Sequence, residues 1–191
     1  MVTIELPDLD SARKQLEAFP GAADWAIVRT VNDVAGSGKA AATSYIFTRY
    51  YFETQGPIQK GITTTKVSSP SQVAVIRFQG KRFPVKQFLP TRTDVGIEIM
   101  EIRGQRGAPI SHAFGAVMQY GFGIFKRKPD AERGPVQSIT GLSVANMARE
   151  SKEILPEISA HVRDQLSKRM KFWVGEALAG NRAKYERRKH V

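Results

Sequence analysis

The fold is decided by residues 72–144, QVAVIRFQGKRFPVKQFLPTRTDVGIEIMEIRGQRGAPISHAFGAVMQYGFGIFKRKPDAERGPVQSITGLSV. Short apolar runs, several alternating with polar residues, are separated here by turns that carry Gly or Pro, which is the pattern of short β-strands. On either side, apolar residues recur at steps of three and four, which is typical of one helix face. The sequence therefore predicts an α+β fold with long N-terminal helices, a small antiparallel and partly barrel-like sheet in the middle, and a long C-terminal helix.

The predicted strands are short and end at turn residues. A Thr-rich, β-branched segment precedes them and is predicted to be extended as it enters the sheet. Pro84 has no N–H, so the strand that contains it belongs at an edge or a bulge. The extended segments are predicted at Ile62–Val67, Val73–Phe78, Phe83–Gln87, Val95–Ile102, Ile110–Tyr120 and Gly123–Lys126.

Helices are predicted on both sides of the strands. A short first helix ends at Phe19, and a second runs from about Ala22 to Tyr51. Gly36 and Gly38 cost the second helix about 2 kcal/mol of propensity relative to alanine. We therefore expect either a kink at these glycines or a close helix crossing that needs the missing side chains.

After the strands, Ser143 is predicted to cap a helix over Val144–Glu150. A longer amphipathic helix follows, about 25 residues or ~38 Å in length. Gly180 is predicted to end it, and a basic tail comes after.

The 191 residues are predicted to form a single domain. Its segments are a helical arm at 1–61, a β core at 62–140, C-terminal helices at 141–179 and a basic tail at 180–191. There is no cysteine, which excludes a disulfide framework and thiolate metal sites. The N-terminal segment is acidic and has no apolar run, and no stretch is long enough to span a membrane, so we expect a soluble, cytoplasmic protein.

The positive charge is unevenly distributed. Residues 56–135 contain thirteen Lys and Arg against five Asp and Glu, within a chain of net charge +11. A basic surface of this kind favours a polyanion or an acidic protein as partner, although cations dispersed over an ordinary solvated surface would produce the same count.

No constellation for covalent chemistry is present. The three histidines, His112, His161 and His190, are far apart and lack metal-ligand spacing, and His161 is predicted to be structural because it adjoins the apolar stripe of the last helix. Glu98 and Glu101 lie on offset faces of one predicted strand, which is poor geometry for paired acid–base catalysis. The expectation is a protein that is not an enzyme, with no catalytic residue, no metal site and no cofactor.

Aromatic residues interleave with cations in two places. Phe78, Phe83 and Phe88 alternate with Lys81, Arg82 and Lys86, and Phe122 and Phe125 precede Lys126, Arg127 and Lys128. On a sheet this pattern forms a stacking platform for single-stranded nucleic acid. The alternative is that the aromatic rings fill the core while the cations meet solvent, and the alternation of Arg82 with Phe83 favours it.

The order of these segments resembles the minor tail protein Z family of long-tailed bacteriophages. The resemblance begins at F-P-G-A-A-x-x-A-I-x-R-x-V-N (Phe19 to Asn32) and extends over most of the chain. Its most specific pieces follow one another in the family's order, although the last often reads G-P-S there and Leu142 departs from it. They are Ala113-Phe114, Gly123-Ile124-Phe125-Lys126-Arg127, Arg133-x-Pro135-Val136 and Gly141-Leu142-Ser143-Val144.

The resemblance implies a structural virion protein of the neck or upper tail that completes the tail and enables it to join the head. It implies a homohexameric ring around the DNA channel. The implied partners are the tail terminator or tail tube, the head-closure or connector proteins, and the end of the phage genome through its phosphates. The apolar stripe of the last helix is then predicted to pack between subunits; its residues are Ile154, Ile158, Val162, Leu166, Met170 and Trp173.

Cations of the β region are predicted to face DNA or a partner protein from the ring lumen, acting on phosphates without reading bases. These residues are Lys81, Arg82, Lys86, Arg103, Arg106, Lys126, Arg127 and Lys128. The rival functions are a basic nucleic-acid-binding protein that acts as a free monomer, and an enzyme such as a virion-associated nuclease or peptidoglycan hydrolase.

Overall fold

The computed structural model describes the backbone of Val2–Thr3 and residues 21–70, 73–119, 121–127 and 135–181. The helix predicted to end at Phe19 lies outside the described residues. The same is true of Lys128 and of nearly all of the predicted basic tail.

Two long helices flank the strands, as predicted. The described part of the chain contains four helices: α1 (Ala22–Arg49), α2 (Gly56–Gly61), α3 (Val144–Glu150) and α4 (Ile154–Leu178). Ser143 caps α3, since its hydroxyl accepts a hydrogen bond from the Asn146 N–H at 3.1 Å. Gly180 follows α4 with a φ of 69°, a left-handed conformation that ends helices.

The strands of the described residues are short. They are β1 (Val2–Thr3), β2 (Ile62–Thr64), β3 (Val75–Phe78), β4 (Arg82–Pro84), β5 (Thr91–Thr93), β6 (Gly96–Glu98), β7 (Ile110–Ser111), β8 (Ala113–Met118), β9 (Gly121–Arg127), β10 (Val136–Ser138) and β11 (Thr140–Ser143). They form four small sheets, ordered β1-β3-β2, β10-β9-β8, β11-β4 and β5-β6-β7. The pairing is antiparallel, and no sheet closes on itself within the described residues. The α+β class is confirmed, with several open sheets in place of one partly barrel-like sheet.

Several segments differ from the predicted strands. Strands β10 and β11 are not predicted, and the strand expected at Ile110–Tyr120 is divided at His112 into β7 and β8. The strand expected at Phe83–Gln87 ends at Pro84, and Val85–Gln87 forms a 3-10 turn. Proline donates no hydrogen bond to a ladder, and β4 pairs with β11 alone, so its predicted edge position is confirmed. Thr91–Thr93 is a strand that the sequence analysis does not predict; it pairs with β6, where Thr91 lies opposite Glu98.

The chain divides into two compact units. The first, called here the helical unit, comprises Met1–Ala42, Ile62–Arg77 and Glu153–Val191; the second, the sheet unit, comprises Thr43–Gly61 and Phe78–Lys152. The division therefore cuts the predicted arm, the predicted β core and the predicted C-terminal helices, because each of these consecutive segments supplies residues to both units.

The helical unit is held by contacts between α1 and α4. The indole rings of Trp25 and Trp173 meet edge to face, with centroids 5.3 Å apart. The Trp173 indole N–H donates to Asp33 Oδ2 at 2.8 Å. One turn further along α1, Ser37 Oγ lies 2.8 Å from His161 Nε2, so His161 has the structural role that the sequence predicts.

Gly38 marks a close approach within the helical unit. A Cβ atom built there would lie 2.7 Å from Ile76 Cδ1 and 3.0 Å from Val162 Cγ2, whereas one at Gly36 would meet nothing within 4 Å. Helix α1 runs through both glycines. Of the two expectations for this segment, the close crossing is confirmed, and it depends on Gly38.

The apolar stripe of α4 is buried within the chain itself, which corrects the prediction that it packs between subunits. Of its six residues, only Met170 is half-buried, and its side chain packs against the core of the same unit. The other five, each at most 8% exposed, are Ile154, Ile158, Val162, Leu166 and Trp173. Because these side chains are already buried within the chain itself, the stripe is not available to a neighbouring subunit.

The sheet unit has a core of small clusters. One joins Val85, Ile97, Ala113 and Ile124 from four different segments. The rings of Phe52, Phe83 and Phe88 form another, with edge-to-face contacts at 5.1–6.4 Å between centroids, and Phe88 is fully buried. For Phe83 and Phe88, the structure therefore supports the core-filling alternative over the stacking platform.

Candidate partner and nucleic-acid interface

One concave surface of the sheet unit is a groove of about 950 Å³. Its walls are the β5–β6 hairpin on one side and the β8–β9 hairpin on the other. A sharp turn connects the two walls at His112, whose φ of 59° is left-handed and whose N–H donates to the Val95 carbonyl at 3.2 Å. The groove therefore lies in the part of the chain where the sequence analysis places its basic interface.

The β8–β9 hairpin carries one apolar face from the core out to solvent. Gly115 lies opposite Ile124, and Val117 lies opposite Phe122. Side chains that are opposite each other, and those two residues apart, share a face of an antiparallel pair. Ile124 is buried, but Val117 is 77% exposed and Phe122 49% exposed. The face thus continues past the end of the core.

Glycine shapes this face. A Cβ atom at Gly115 would lie 2.9 Å from Phe122 Cζ, so the phenyl ring rests directly on the glycine backbone. Gly121 begins β9 with a φ of 93°, as the bend between the two strands requires. A tight bend and a close backbone approach, both of which glycine permits, therefore occur in this hairpin.

Three cations line the groove. Lys126 and Arg127 belong to the predicted set, and the Arg127 guanidinium carbon lies 5.5 Å from the centre of the Phe114 ring. The third, Arg92, is exposed on β5 and is missing from the predicted set. The sequence contains a signal for this strand, because Thr and Arg alternate at positions 91–93, between Pro90 and the turn at Asp94.

Other predicted cations serve different contacts. Lys86 Nζ donates to the Phe122 carbonyl at 2.9 Å, which ties the 3-10 turn to the β8–β9 hairpin. Lys81 and Arg82 are exposed at the start of β4, away from the residues that line the groove. The predicted residues are therefore not gathered into one surface.

Arg103 serves the fold of its own chain, contrary to the prediction that it faces DNA or a partner. Its Nε donates to the Phe47 carbonyl at 2.8 Å, and its Nη2 donates to the Phe52 carbonyl at 3.3 Å. The guanidinium also lies over the rings of Phe47 and Tyr51. These contacts fix its direction, so it is not free to follow a phosphate.

Arg106 is engaged in part. Its Nη1 donates to Thr91 Oγ1 at 2.6 Å and lies 3.7 Å from Glu98 Oε2, while its side chain is 47% exposed. The Arg106 side chain therefore stabilises the β5–β6 hairpin and remains partly accessible to solvent. Its Nη1 is therefore already committed to neighbours in its own unit.

Glu101 has the most perturbed environment among the described carboxylates of the sheet unit. Burial raises the pKa of its carboxyl, and the nearby Glu150 raises it further. The Leu142 N–H, which donates to Glu101 Oε1 at 3.0 Å, and the Arg82 guanidinium act in the opposite direction. Burial likewise raises the pKa of Tyr50, whose hydroxyl donates to the Met147 carbonyl at 3.2 Å.

The described residues contain neither a metal-binding cluster nor a membrane-spanning helix. Within the described residues, no group of three or more His, Asp or Glu side chains is arranged to hold a metal ion. Over the same residues, no helix combines the length and the apolar character that crossing a membrane demands.

Comparisons with protein-family models, with curated proteins and with solved structures find no significant match to this chain.

Proposed function

We propose that the chain is a structural protein of a bacteriophage virion, placed at the head–tail junction. It completes the tail and enables head–tail joining as a homohexameric ring around the DNA channel. Its partners are further copies of itself, the tail terminator or tail tube, and the head-closure or connector proteins. The end of the phage genome contributes through its phosphates.

The observation that carries the proposal is where the family-like motifs fall in the fold. Ala113-Phe114 begins β8, Gly123–Arg127 completes β9, and Val136 begins β10. These three strands are neighbours in one sheet, in the order β10-β9-β8. Gly141–Val144 then leads through β11 into the cap of α3. Three of the pieces that carry the resemblance therefore contribute strands to one sheet, while the fourth lies in β11, which pairs with β4, and at the cap of α3. This grouping of the motifs supports the proposal.

The surface charge is compatible with this role. The sheet unit holds fourteen Lys and Arg against seven Asp and Glu. A ring that places this unit toward the lumen would present a positive wall to passing DNA, with contacts to phosphates and none to base edges.

Assembly is the first test. The purified full chain should form closed rings that are visible by negative-stain electron microscopy, with a mass of six protomers by light scattering. A protein that stays monomeric at every concentration, alone and with its neighbouring tail proteins, would contradict the ring.

Infectivity is the second test. Deleting the coding sequence from the phage or prophage that carries it should leave filled heads and incomplete tails that fail to join, and supply of the chain in trans should restore joining. Infectious virions made without it would contradict the proposal.

Action as a free nucleic-acid-binding monomer is the alternative function, favoured by the net charge of +11. In that case the monomer should bind duplex or single-stranded DNA with affinity that falls steeply with salt. A virion ring protein should bind DNA weakly until it is assembled, so affinity measured below and above the assembly concentration separates the two functions.

A further inference from the structure

We propose that the groove of the sheet unit is a docking site for an extended, acidic segment of a partner protein. Apolar side chains of the segment pack against Val95, Val117 and Phe122, and its carboxylates lie beside Arg92, Lys126 and Arg127. This inference goes beyond the assembly role and does not depend on it.

The apolar part of the argument rests on exposure. Val117 is 77% exposed, Val95 62% and Phe122 49%, within one unit of a folded chain. Val95 and Phe122 both line the groove, and Val117 lies opposite Phe122 on the same hairpin face. Clustered apolar side chains rimmed by polar ones mark interaction surfaces, because burying them against a partner removes unfavourable contact with water.

The electrostatic part rests on the lining. Arg92, Lys126 and Arg127 line the groove, and Asp94 is the single carboxylate among the described residues that do so. This excess of positive charge is complementary to Asp and Glu side chains. Long-range attraction of this kind raises the association rate and selects acidic partners over basic ones.

The same residues favour a protein segment over single-stranded nucleic acid. Bases bind by stacking on aromatic faces, and Val95 and Val117 offer none. Phe122 rests one face of its ring on Gly115, and Phe114 is approached by both Arg127 and Phe125. A nucleic-acid strand would leave the two valines in water, whereas branched apolar side chains of a peptide would cover them.

The wall of the groove is held in place before any partner arrives. Lys86 Nζ fixes the Phe122 carbonyl, and the core residue Ile124 anchors the same strand two residues further on. On the other side, a Cβ atom at Gly96 would collide with the Ile110 carbonyl, so β6 and β7 are closely apposed. A preorganised surface binds with less loss of conformational entropy.

The test selects partners without assuming a sequence. A displayed library of random short peptides is panned on the immobilised full chain, and the enriched peptides are synthesised with a fluorescent label. We expect enriched peptides to combine Asp or Glu with Val, Ile, Leu or Phe. Fluorescence anisotropy should show that Val117→Asp and Arg92→Glu each weaken binding about tenfold or more.

Matched controls lie in the helical unit. Val73 is 53% exposed and Lys171 is exposed, so Val73→Asp and Lys171→Glu make the same chemical changes away from the groove. Both variants should bind the selected peptides as the unmodified chain does. Circular dichroism of all four variants should be unchanged, because each altered side chain is exposed.

Three results would overturn the inference. The first is no enrichment on the unmodified chain above that on the Val117→Asp and Arg92→Glu double variant. The second is an equal loss of binding in the control variants. The third is tighter binding of labelled oligothymidylate than of any selected peptide at the same ionic strength, which would assign the groove to nucleic acid.

Discussion

The two units of this chain use the same kinds of side chain in opposite ways. In the helical unit, the apolar stripe of α4 is largely buried against the same chain, and the Trp173 indole N–H donates to Asp33. In the sheet unit, comparable residues at Val95, Val117 and Phe122 remain at the surface beside cations. Lys and Arg outnumber Asp and Glu fifteen to eleven in the first unit and fourteen to seven in the second. If the groove is the docking site proposed above, partners meet the sheet unit, while the helical unit supports the fold.

The largest effect on the stability of the helical unit is expected from removing the Trp173 side chain. Trp173→Ala deletes the edge contact with Trp25 and the hydrogen bond to Asp33, and it leaves a cavity between α1 and α4. We expect a loss of about 3–5 kcal/mol in the free energy of unfolding. Urea denaturation followed by circular dichroism would measure it.

The neighbouring Phe172 is the matched control for Trp173. Its side chain is 46% exposed and its ring meets the Trp173 ring edge to face, with centroids 5.0 Å apart, so Phe172→Ala should cost about 1 kcal/mol. Equal losses from the two variants would mean that the α1–α4 contact is not the main support of the helical unit.

A second test compares two glycines of α1. Gly38→Ala places a Cβ atom against Ile76 and Val162 and should destabilise the chain by about 1–3 kcal/mol. Gly36→Ala meets open space and should stabilise it by about 0.5–1 kcal/mol, because alanine favours the helix. Opposite signs in thermal or urea unfolding are the expected result; a stabilising effect of both variants would show that the crossing can open without cost.

A third test moves to the sheet unit and concerns the cap of α3. Ser143→Ala removes the acceptor of the Asn146 N–H and should cost about 1 kcal/mol. Ser143→Thr keeps a capping hydroxyl without adding a charge at this buried position, and it should recover part of the loss, measured in the same urea experiment. If the two variants are equally destabilised, the hydroxyl's contribution comes from elsewhere than the cap.

Local signals explain what the sequence predicts well. The start of α1 near Ala22, the Ser143 cap and the stop at Gly180 each depend on residues within one turn of the chain. The helical period of α4 also identifies a buried face. It does not identify what buries that face, because the same apolar pattern is expected whether α1 of the same chain or another subunit covers it.

Tertiary contacts explain most of what sequence analysis misses. In the sequence, Arg103 cannot be distinguished from any other exposed cation. In the structure, it donates to the carbonyls of Phe47 and Phe52, which are distant in sequence. Arg92 joins Lys126 only because β5 and β9 lie on opposite walls of one groove. Long, flexible side chains take their direction from neighbours that periodicity cannot reveal, so the candidate site is less predictable than the elements that carry it.

The smallest expected effect is the part of the pH dependence of stability that Glu101 contributes. Burial raises the pKa of its carboxyl above the ordinary value of 4.5, so between these two pKa values the folded chain binds more protons than the unfolded chain. Its contribution to stability is therefore fully present below the ordinary pKa and is lost as the pH rises through the folded-state pKa. Glu101→Gln keeps an oxygen for the Leu142 N–H but cannot ionise.

The Glu101→Gln variant should accordingly lose part of the decline in stability with rising pH, and near neutral pH it should be at least as stable as the unmodified chain. Urea denaturation from about pH 4 to about pH 8, a range that spans the titration of carboxyl groups, would measure both profiles. Glu53→Gln, at an exposed position of the same unit, should follow the unmodified chain. If the stability profile of Glu101→Gln also follows that of the unmodified chain, the Glu101 carboxyl is as well solvated as that of Glu53. The sheet unit then buries no carboxylate at the junction of β11 and α3.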